Sequence, residues 1–399
     1  MIFKNTYNIL RDVIYLNKLS ELFIKYNELC EEDKLDYQPD GFFVFIHEHY
    51  INNGKIKLPY PLYATWDITN YCNLHCVFCS ASALGNKNKI DDDKCLEIAK
   101  KLISNGIKYV SIRGGEPTLV KQLFECVKLF NQNGVFVEIV SNGTGITKDF
   151  LEKLSSLNKN LIRIKISLDS TNKELNDRLR GRGSYDGATS AIETCHKMKW
   201  DFRTQMVITN QNKYEIIDMY NYVSSKGATS FGTILVLPMG RGKKTELVTI
   251  DEKILTDLIY IKEHETNTKF EKLGMGIDGF KFYEELYKNS KFTDEDSYKF
   301  SLLKCNCAKT RINVDSNGDV YPCDMLKYEE FKMGNILTDD ISQIWNCENA
   351  NKFNNITRKT KKGCKDCKIK GCNTGCFGIS YGIYHSIKDA LPNCKLYDE

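Results

Sequence analysis

The sequence predicts an α/β fold: a partial (β/α)6 barrel of the TIM type, with a small N-terminal extension and a Cys-rich C-terminal domain. Two observations predict it. Strand-like and helix-like runs alternate along residues 63–240, and most of the cysteines fall into three groups. Alternation with connections of this length indicates a parallel sheet covered by helices. The predicted domains are residues 1–62, 63–240, 241–300 and 301–399.

The alternating region contains six predicted strands and five predicted helices. Six strand–helix units are too few for a closed eight-stranded barrel, but they suit a partial one. The predicted strands lie near residues 64–69, 108–113, 136–140, 163–168, 202–209 and 229–236, and the predicted helices near 91–105, 119–132, 147–157, 186–198 and 213–226.

The flanking regions differ from the barrel in their patterns. Residues 7–30 predict one or two helices, and a short apolar run follows at 42–46. This extension is either a small substrate-binding module or a structural cap. Residues 241–300 are charged and predict a mostly helical connector. From residue 301 the chain is rich in Cys, Gly and Asn, which is typical of a small domain held together by metal.

Composition excludes several classes of protein. The net charge of +4 comes from lysines spread among acidic residues, which argues against a dedicated nucleic-acid binder. No apolar run approaches the ~20 residues of a membrane span, and the N-terminus lacks a signal pattern. We therefore expect a cytoplasmic protein with no nucleic-acid or membrane partner. In that compartment, cysteines clustered at short spacings, as eleven of the sixteen are, indicate metal ligation rather than disulfides.

Cys72, Cys76 and Cys79 follow the first predicted strand with the spacing C-x3-C-x2-C. Loops at the carboxyl ends of barrel strands build active sites. Three thiolates on one such loop can bind three irons of a cubane cluster and leave its fourth iron open to a small molecule. A structural zinc site needs four closed ligands, and His75 is poorly placed to be the fourth. The spacing therefore predicts an iron–sulfur cluster.

A second motif ends the next predicted strand. Residues 113–117 read Arg-Gly-Gly-Glu-Pro, in which the glycine pair allows close approach of a ligand and Glu116 offers a carboxylate to an amine. With Phe78 before the third cysteine, these motifs resemble the radical S-adenosylmethionine (SAM) superfamily. The resemblance implies that the open iron chelates SAM. It also implies that reductive cleavage of SAM yields a 5′-deoxyadenosyl radical, which abstracts a substrate hydrogen.

The same resemblance implies roles for individual residues. Glu116 would contact the methionine amine of SAM, and Ser167 would contact the ribose hydroxyls. Arg180 would pair with the SAM carboxylate, with Arg178 and Arg182 as alternatives. The implied cofactor-binding residues are Phe78, Gly114, Gly115, Glu116, Pro117, Asn142, Ser167 and Arg180.

The C-terminal cysteines resemble a SPASM domain, which holds two auxiliary [4Fe-4S] clusters. One spacing departs from the family pattern, because four residues rather than five separate Cys367 from Cys372. Cys305 is the candidate fourth ligand of the first cluster, and without it that cluster would keep an open iron. A pair of zinc knuckles is the alternative. The implied ligands are Cys305, Cys307, Cys323 and Cys376 for the first cluster, and Cys364, Cys367, Cys372 and Cys394 for the second.

The radical SAM–SPASM architecture is associated with modification of peptides and proteins. The resemblance implies an oxidoreductase that installs a thioether or carbon–carbon crosslink in a ribosomally made peptide, that is, a RiPP maturase. The alternatives are formylglycine formation as in sulfatase maturases, peptide epimerisation, a small-molecule radical enzyme, or a non-catalytic electron-transfer protein. Epimerisation needs a thiol donor, and the remaining cysteines do not look placed for it: Cys30, Cys95, Cys126, Cys195 and Cys347.

Asp324 directly follows Cys323, at a position where sulfatase-maturing relatives carry a base. It could act as a general base on a substrate thiol or hydroxyl. The alternative is a carboxylate on a solvated loop. The expected partners are a peptide or protein substrate and an external electron donor such as flavodoxin or ferredoxin. Residues 1–62 are short for a complete recognition domain, so a separate peptide-recognition protein is a further candidate partner.

Overall fold

The structure is a computed structural model that describes residues 60–83, 92–248, 251–274, 305, 307–357, 359–365 and 375–391. Contacts divide the chain between Leu58 and Pro59, and every described residue belongs to the second unit. The helices and the strand-like run predicted within residues 1–62 lie outside the described residues. So do four of the cysteines, namely Cys30, Cys367, Cys372 and Cys394.

All six predicted barrel strands are confirmed. Each pairs in parallel with the next along the chain, so their carboxyl ends meet at one edge of the sheet. Their bounds are β1 (Tyr63–Thr69), β2 (Tyr109–Gly114), β3 (Phe136–Ser141), β4 (Ile162–Ser167), β5 (Phe202–Ile208) and β6 (Ser230–Leu235).

The sheet is larger than the six predicted strands. β7 (Lys269–Gly274) extends it in parallel beyond β6, and β8 (Arg311–Val314) pairs in parallel with β1. β9 (Asp319–Tyr321) and β10 (Gly334–Asn335) follow antiparallel at that end. The ten strands lie in the order β10-β9-β8-β1-β2-β3-β4-β5-β6-β7.

Helices follow most strands and cover the sheet. The five predicted helices are confirmed, and α4 is an addition whose N-terminus is capped by the Asn172 side chain. The bounds are α1 (Asp92–Ser104), α2 (Leu123–Gln132), α3 (Lys148–Leu154), α4 (Lys173–Arg180), α5 (Ser184–Met198), α6 (Ile216–Ser225), α7 (Glu252–Glu263), α8 (Ile341–Asn346), α9 (Glu348–Asn354) and α10 (Phe377–Tyr384).

The connector is predicted as mostly helical, and residues 275–300 of it lie outside the described residues. Its described part contains α7 but also the strand β7, which the sequence pattern does not reveal because Lys269-Phe-Glu-Lys-Leu-Gly is short and half charged. At the other end of the sheet, β8 lies within the predicted C-terminal domain. Asn313 of β8 donates a hydrogen bond to Thr65 O of β1 (3.2 Å), and Leu62 N donates one to Thr310 O (3.0 Å). The C-terminal region thus shares the barrel sheet.

The two faces of β1 show where the core lies. Trp66 is fully buried and its ring meets Phe130 of α2 edge-on, with ring centroids 6.2 Å apart. Thr65 and Asp67 alternate with Trp66 and therefore point to the opposite face, where Asp67 is the register partner of Arg113 on β2. The apolar core thus lies between strands and helices, and polar side chains line the inner face of the sheet.

In the part of the chain that the structure describes, no helix has both the length and the apolar character that a membrane span requires.

Trp66→Ala tests this placement of the core. Removing a fully buried indole from the strand–helix layer is expected to lower the free energy of unfolding by about 3–5 kcal/mol. Tyr384→Ala is the control, since Tyr384 is 44% exposed and its loss is expected to cost about 0.5 kcal/mol or less. Urea unfolding under anaerobic conditions measures both. Equal midpoints for the two variants would contradict the placement.

Candidate active site

The predicted cluster cysteines lie on the loop that follows β1, which we call the cluster loop (residues 70–83). Burial is the main cause that raises the pKa of Cys76 to about 11, and Cys72 and Cys79 are close enough to contribute. Among the described residues, however, no three His, Cys, Asp or Glu side chains converge on a single-ion position. A zinc ion draws its thiolates in to about 2.3 Å, whereas a cubane spreads them over separate irons. Three thiols on one loop match a cubane, in which each thiolate binds a separate iron.

The glycine pair that ends β2 supports the cluster loop. Gly115 N donates to Thr69 O (2.7 Å), and Glu116 N donates to Tyr71 O (2.8 Å). A Cβ on Gly115 would lie 1.8 Å from Tyr71 O, and one on Gly114, whose φ is +131°, would lie 2.3 Å from Thr69 O. The pair is thus required for the close approach of the loop backbone itself.

Glu116 is buried beneath this contact and is held by four donors. Its carboxylate accepts hydrogen bonds from Thr118 N (3.1 Å), Thr118 Oγ1 (2.7 Å), Ser141 Oγ (2.7 Å) and Asn142 N (2.8 Å). Burial raises the pKa of Glu116, and these hydrogen bonds oppose that rise. The carboxylate therefore has a fixed orientation at the sheet edge, and Pro117 begins the short 3-10 turn that follows it.

Asn142, at the end of β3, contacts the cluster loop directly. Its Nδ2 donates to Asn73 Oδ1 (2.9 Å) and lies 3.9 Å from Cys72 Sγ. Its Oδ1 accepts from Thr144 N (2.9 Å), which fixes the orientation of the amide. The third strand end therefore also positions the loop.

Of the three candidate arginines, the structure places Arg180 at the site. Its guanidinium forms a bidentate ion pair with Asp169 (2.6 and 2.9 Å) and lies 5.5 Å from the centroid of the Phe78 ring. Arg178 instead bonds Gln211 at an exposed position. Ser167 ends β4 and is half-buried.

Sequence reasoning missed two residues of this site. Asp169, which is fully buried, both pairs with Arg180 and accepts from Val207 N (2.7 Å). Its position just past the end of β4 was the available signal. Arg241 reaches the cluster loop from the segment after β6. The Gly-Arg-Gly run at residues 240–242 was the signal for it.

A second group of thiols forms in the C-terminal region. A hydrogen bond from Cys307 is the main cause that lowers the pKa of Cys305 to about 6, and Cys323 lies within reach of Cys307. Cys376 is close to both Cys305 and Cys323, although burial is the main cause that raises its pKa to about 12. All four predicted ligands of the first auxiliary cluster thus come together, Cys305 included. Of the second set, only Cys364 is described, and it is buried.

Asp324 lies beside this group, in an ion-pair network rather than on a solvated loop. It pairs with Arg113 of β2 (2.8 Å) and with Arg311 of β8, and Arg113 also contacts Asp67 (3.3 Å). Burial alone would raise the pKa of Asp324, but the two arginines outweigh burial and hold that pKa below its ordinary value. A carboxylate stabilised in this way is a weak base, so the role of Asp324 as a base stays a prediction.

Comparison with known proteins agrees with this geometry. Residues 66–223 match the family described as the radical SAM superfamily, and residues 305–368 match SPASM, an iron–sulfur cluster-binding domain. The chain is a radical SAM enzyme with a SPASM domain. These two domains indicate a SAM-binding [4Fe-4S] cluster and auxiliary clusters.

The enzyme is similar over most of its length to characterised relatives. The mycofactocin maturase MftC of Mycolicibacterium smegmatis is 28% identical over 346 residues, which cover 84% of this chain and 82% of MftC. The subtilosin biosynthesis protein AlbA of Bacillus subtilis is 28% identical (84% and 71% covered), and an AdoMet-dependent heme synthase of Methanosarcina barkeri is 24% identical (84% and 96% covered). Streptococcus suis SuiB bound to SAM shares the fold, with a TM-score of 0.67, 22% identity, and 93% and 86% of the two chains covered.

Gly115→Ala tests the support of the cluster loop. The added Cβ cannot fit against Tyr71 O, so the loop must move, and we expect the variant to lose about four irons per chain, the content of one cubane. Gly134→Ala is the control, because its Cβ would meet nothing within 4 Å and only its φ of +68° would cost about 1 kcal/mol. The iron content per chain is measured for both variants after anaerobic purification. A wild-type iron content in Gly115→Ala would contradict the close packing of Gly115 against Tyr71 O.

Proposed function

We propose that this enzyme cleaves SAM reductively to a 5′-deoxyadenosyl radical and oxidatively modifies a peptide, forming a thioether or carbon–carbon crosslink in a ribosomally made substrate. The observation that carries the proposal is the pair of thiol groups that one sheet supports. Cys72, Cys76 and Cys79 lie close together, with Cys72 near the buried Glu116. Cys305, Cys307 and Cys376 lie around Cys323, which follows β9. The relatives named as a mycofactocin maturase and a subtilosin biosynthesis protein support the peptide assignment.

Residues at the strand ends would each bind a different group of SAM. Cys72, Cys76 and Cys79 would hold the cluster, which when bound supplies the electron that breaks the sulfur–carbon bond of SAM. Glu116 would receive the methionine amine in the orientation that its four donors fix. The described contacts of Arg180 use Nε and Nη2, so we assign Nη1 to the SAM carboxylate. We assign Ser167, half-buried at the end of β4, to the ribose hydroxyls.

A crosslink is a net two-electron oxidation of the peptide. One hydrogen atom leaves with the deoxyadenosyl group, and closure of a thioether releases one further electron and the thiol proton. The group around Cys323 is suited to take the electron, because the cation Arg311 lies close to Cys323 and Cys305. Asp324 is the candidate for the proton, in competition with solvent.

Redox-neutral epimerisation has less support, because it needs a thiol that can donate a hydrogen to the substrate. Cys95, Cys126 and Cys195 lie buried on α1, α2 and α5. Burial raises the pKa of Cys195 to about 12. Cys347 caps the N-terminus of α9. Formylglycine formation has the same electron balance as a crosslink and remains the nearest alternative outcome.

A small-molecule substrate is the second candidate function. It is favoured by the heme synthase relative, 96% of which the alignment covers. The two candidates differ in one observation, since a small-molecule enzyme turns over without any peptide. For the peptide reaction we also propose a flavodoxin or ferredoxin as electron donor, a separate peptide-recognition protein, and a reduced cytoplasm as the setting.

Anaerobic purification followed by iron and sulfide analysis tests the proposal. We expect about twelve irons per chain, as three cubanes require, and 5′-deoxyadenosine after addition of dithionite and SAM. Replacing Cys72, Cys76 and Cys79 together by Ala is expected to remove about four irons and all SAM cleavage. Mass loss of two hydrogens in a peptide encoded beside the gene would show the oxidation, and fragment masses that join two side chains would distinguish a crosslink from a formylglycine. Zinc in place of iron would disprove the proposed function.

Cys305→Ser tests whether the first auxiliary cluster has four protein ligands. Cys305 lies in the four-thiol group, so its loss is expected to leave one iron without a thiolate and to change the auxiliary EPR signal. Cys347→Ser is the matched control, because Cys347 only accepts a capping hydrogen bond from Ala350 N (3.4 Å), which serine can also accept. Identical spectra for the two variants would show that Cys305 is not a ligand.

A further inference from the structure

The segment that follows β6 packs directly on the cluster loop. Residues Gly240–Lys244 form a 3-10 turn, and Arg241 N donates to Cys79 O (2.9 Å). Gly240 has φ +53°, and a Cβ there would lie 2.4 Å from Cys79 O. At Gly242 a Cβ would lie 2.2 Å from Leu237 O. Gly240 thus allows backbone contact between the turn and the third cysteine of the motif, and Gly242 allows the turn to pack on Leu237.

Between these glycines, the side chain of Arg241 bridges two parts of the loop. Its Nε donates to Cys76 O (2.7 Å), and its Nη1 donates to Ala83 O (2.9 Å). The two carbonyls lie on either side of Cys79 in sequence. One planar guanidinium therefore fixes the chain before and after this cysteine at once.

Within the loop, Cys76 O accepts a long turn hydrogen bond from Cys79 N (3.3 Å), but the loop forms no helix or strand that would hold its later part. Other groups hold its earlier part: Gly115 and Glu116 bind residues 69 and 71, and Asn142 binds Asn73. Val77 N is held by Leu179 O (2.9 Å). Arg241 is the described side chain that spans the later part. A lysine could not replace it, because an ammonium lacks the rigid fork of separate donors.

We propose that Arg241 is a positioning residue that holds the later half of the cluster loop in the shape that binds the SAM cluster. The proposal rests on the proposed function, because it takes Cys76 and Cys79 as cluster ligands. It assigns Arg241 no contact with SAM or substrate. Its effect is on how firmly the cluster is retained.

Three variants of the full-length, anaerobically reconstituted protein test this role: Arg241→Gln, Arg241→Lys and Lys244→Gln. The last is the matched control, because it removes one positive charge from the exposed end of the same turn. Iron release to a chelator is followed over time, and the EPR spectrum of the reduced protein is recorded with and without SAM. The SAM-induced change in that spectrum reports the SAM-binding cluster separately from the auxiliary clusters.

We expect Arg241→Gln and Arg241→Lys to release about four irons roughly tenfold faster than the wild type, since each loses at least one charge-assisted hydrogen bond to the loop. The other irons should stay, and Lys244→Gln should behave as the wild type. Wild-type release from Arg241→Gln would overturn the proposal. So would full rescue by Arg241→Lys, which would make charge rather than geometry the cause. Loss of the auxiliary irons as well would show a general loss of folding instead.

The same measurements separate this inference from the proposed function. If the wild type binds clusters and cleaves SAM while Arg241→Gln is unchanged, only the inference fails. If the wild type binds no SAM-responsive cluster, the proposed function fails and the inference falls with it.

Discussion

The site depends on one constraint: the cluster loop has no regular secondary structure, so its backbone groups need partners from elsewhere. Those partners come from successive strand ends of one parallel sheet. The end of β2 binds the start of the loop, Asn142 after β3 binds Asn73, and α4 binds Val77 through Leu179 O. Because parallel pairing brings the strand ends to one edge, segments that follow several strands can reach one loop. These partners add to the turn hydrogen bonds within the loop, such as that from Cys79 N to Cys76 O.

This constraint gives the strand-end motifs a second use. Gly114 and Gly115 look in sequence like an approach path for a ligand, yet the closest atoms in the structure are carbonyl oxygens of the chain. The Glu116 carboxylate likewise accepts four hydrogen bonds from protein donors. Such a carboxylate has lost most of its freedom before any ligand arrives, which lowers the entropy cost of binding. The same residues can therefore build the site and bind SAM.

The sequence predicts the parts of this structure that local pattern determines. The six barrel strands are apolar runs of the right length, and the cysteine spacings locate both thiol groups. It does not predict β7, whose residues are half charged, or α4, which is short and mostly polar. Nor could it predict the pairing of Arg180 with Asp169 or of Asp324 with Arg311. Many carboxylates and arginines are available in the chain, and only the fold selects which of them meet.

The network around Asp324 links the two thiol groups physically. Arg113 precedes the glycine pair that supports the cluster loop, and Asp324 follows Cys323 of the auxiliary group, so their 2.8 Å ion pair joins the two sites across the inner face of the sheet. Arg311 adds a second contact from β8, the strand that pairs with β1. Both side chains of the Arg113–Asp324 pair are half-buried. Movement of the auxiliary group away from the SAM-binding edge would therefore break the ion pairs of Asp324 with both arginines. The electron acceptor that we propose for the substrate radical is thus tied by ion pairs to β2, the strand that leads into the glycine pair under the cluster loop.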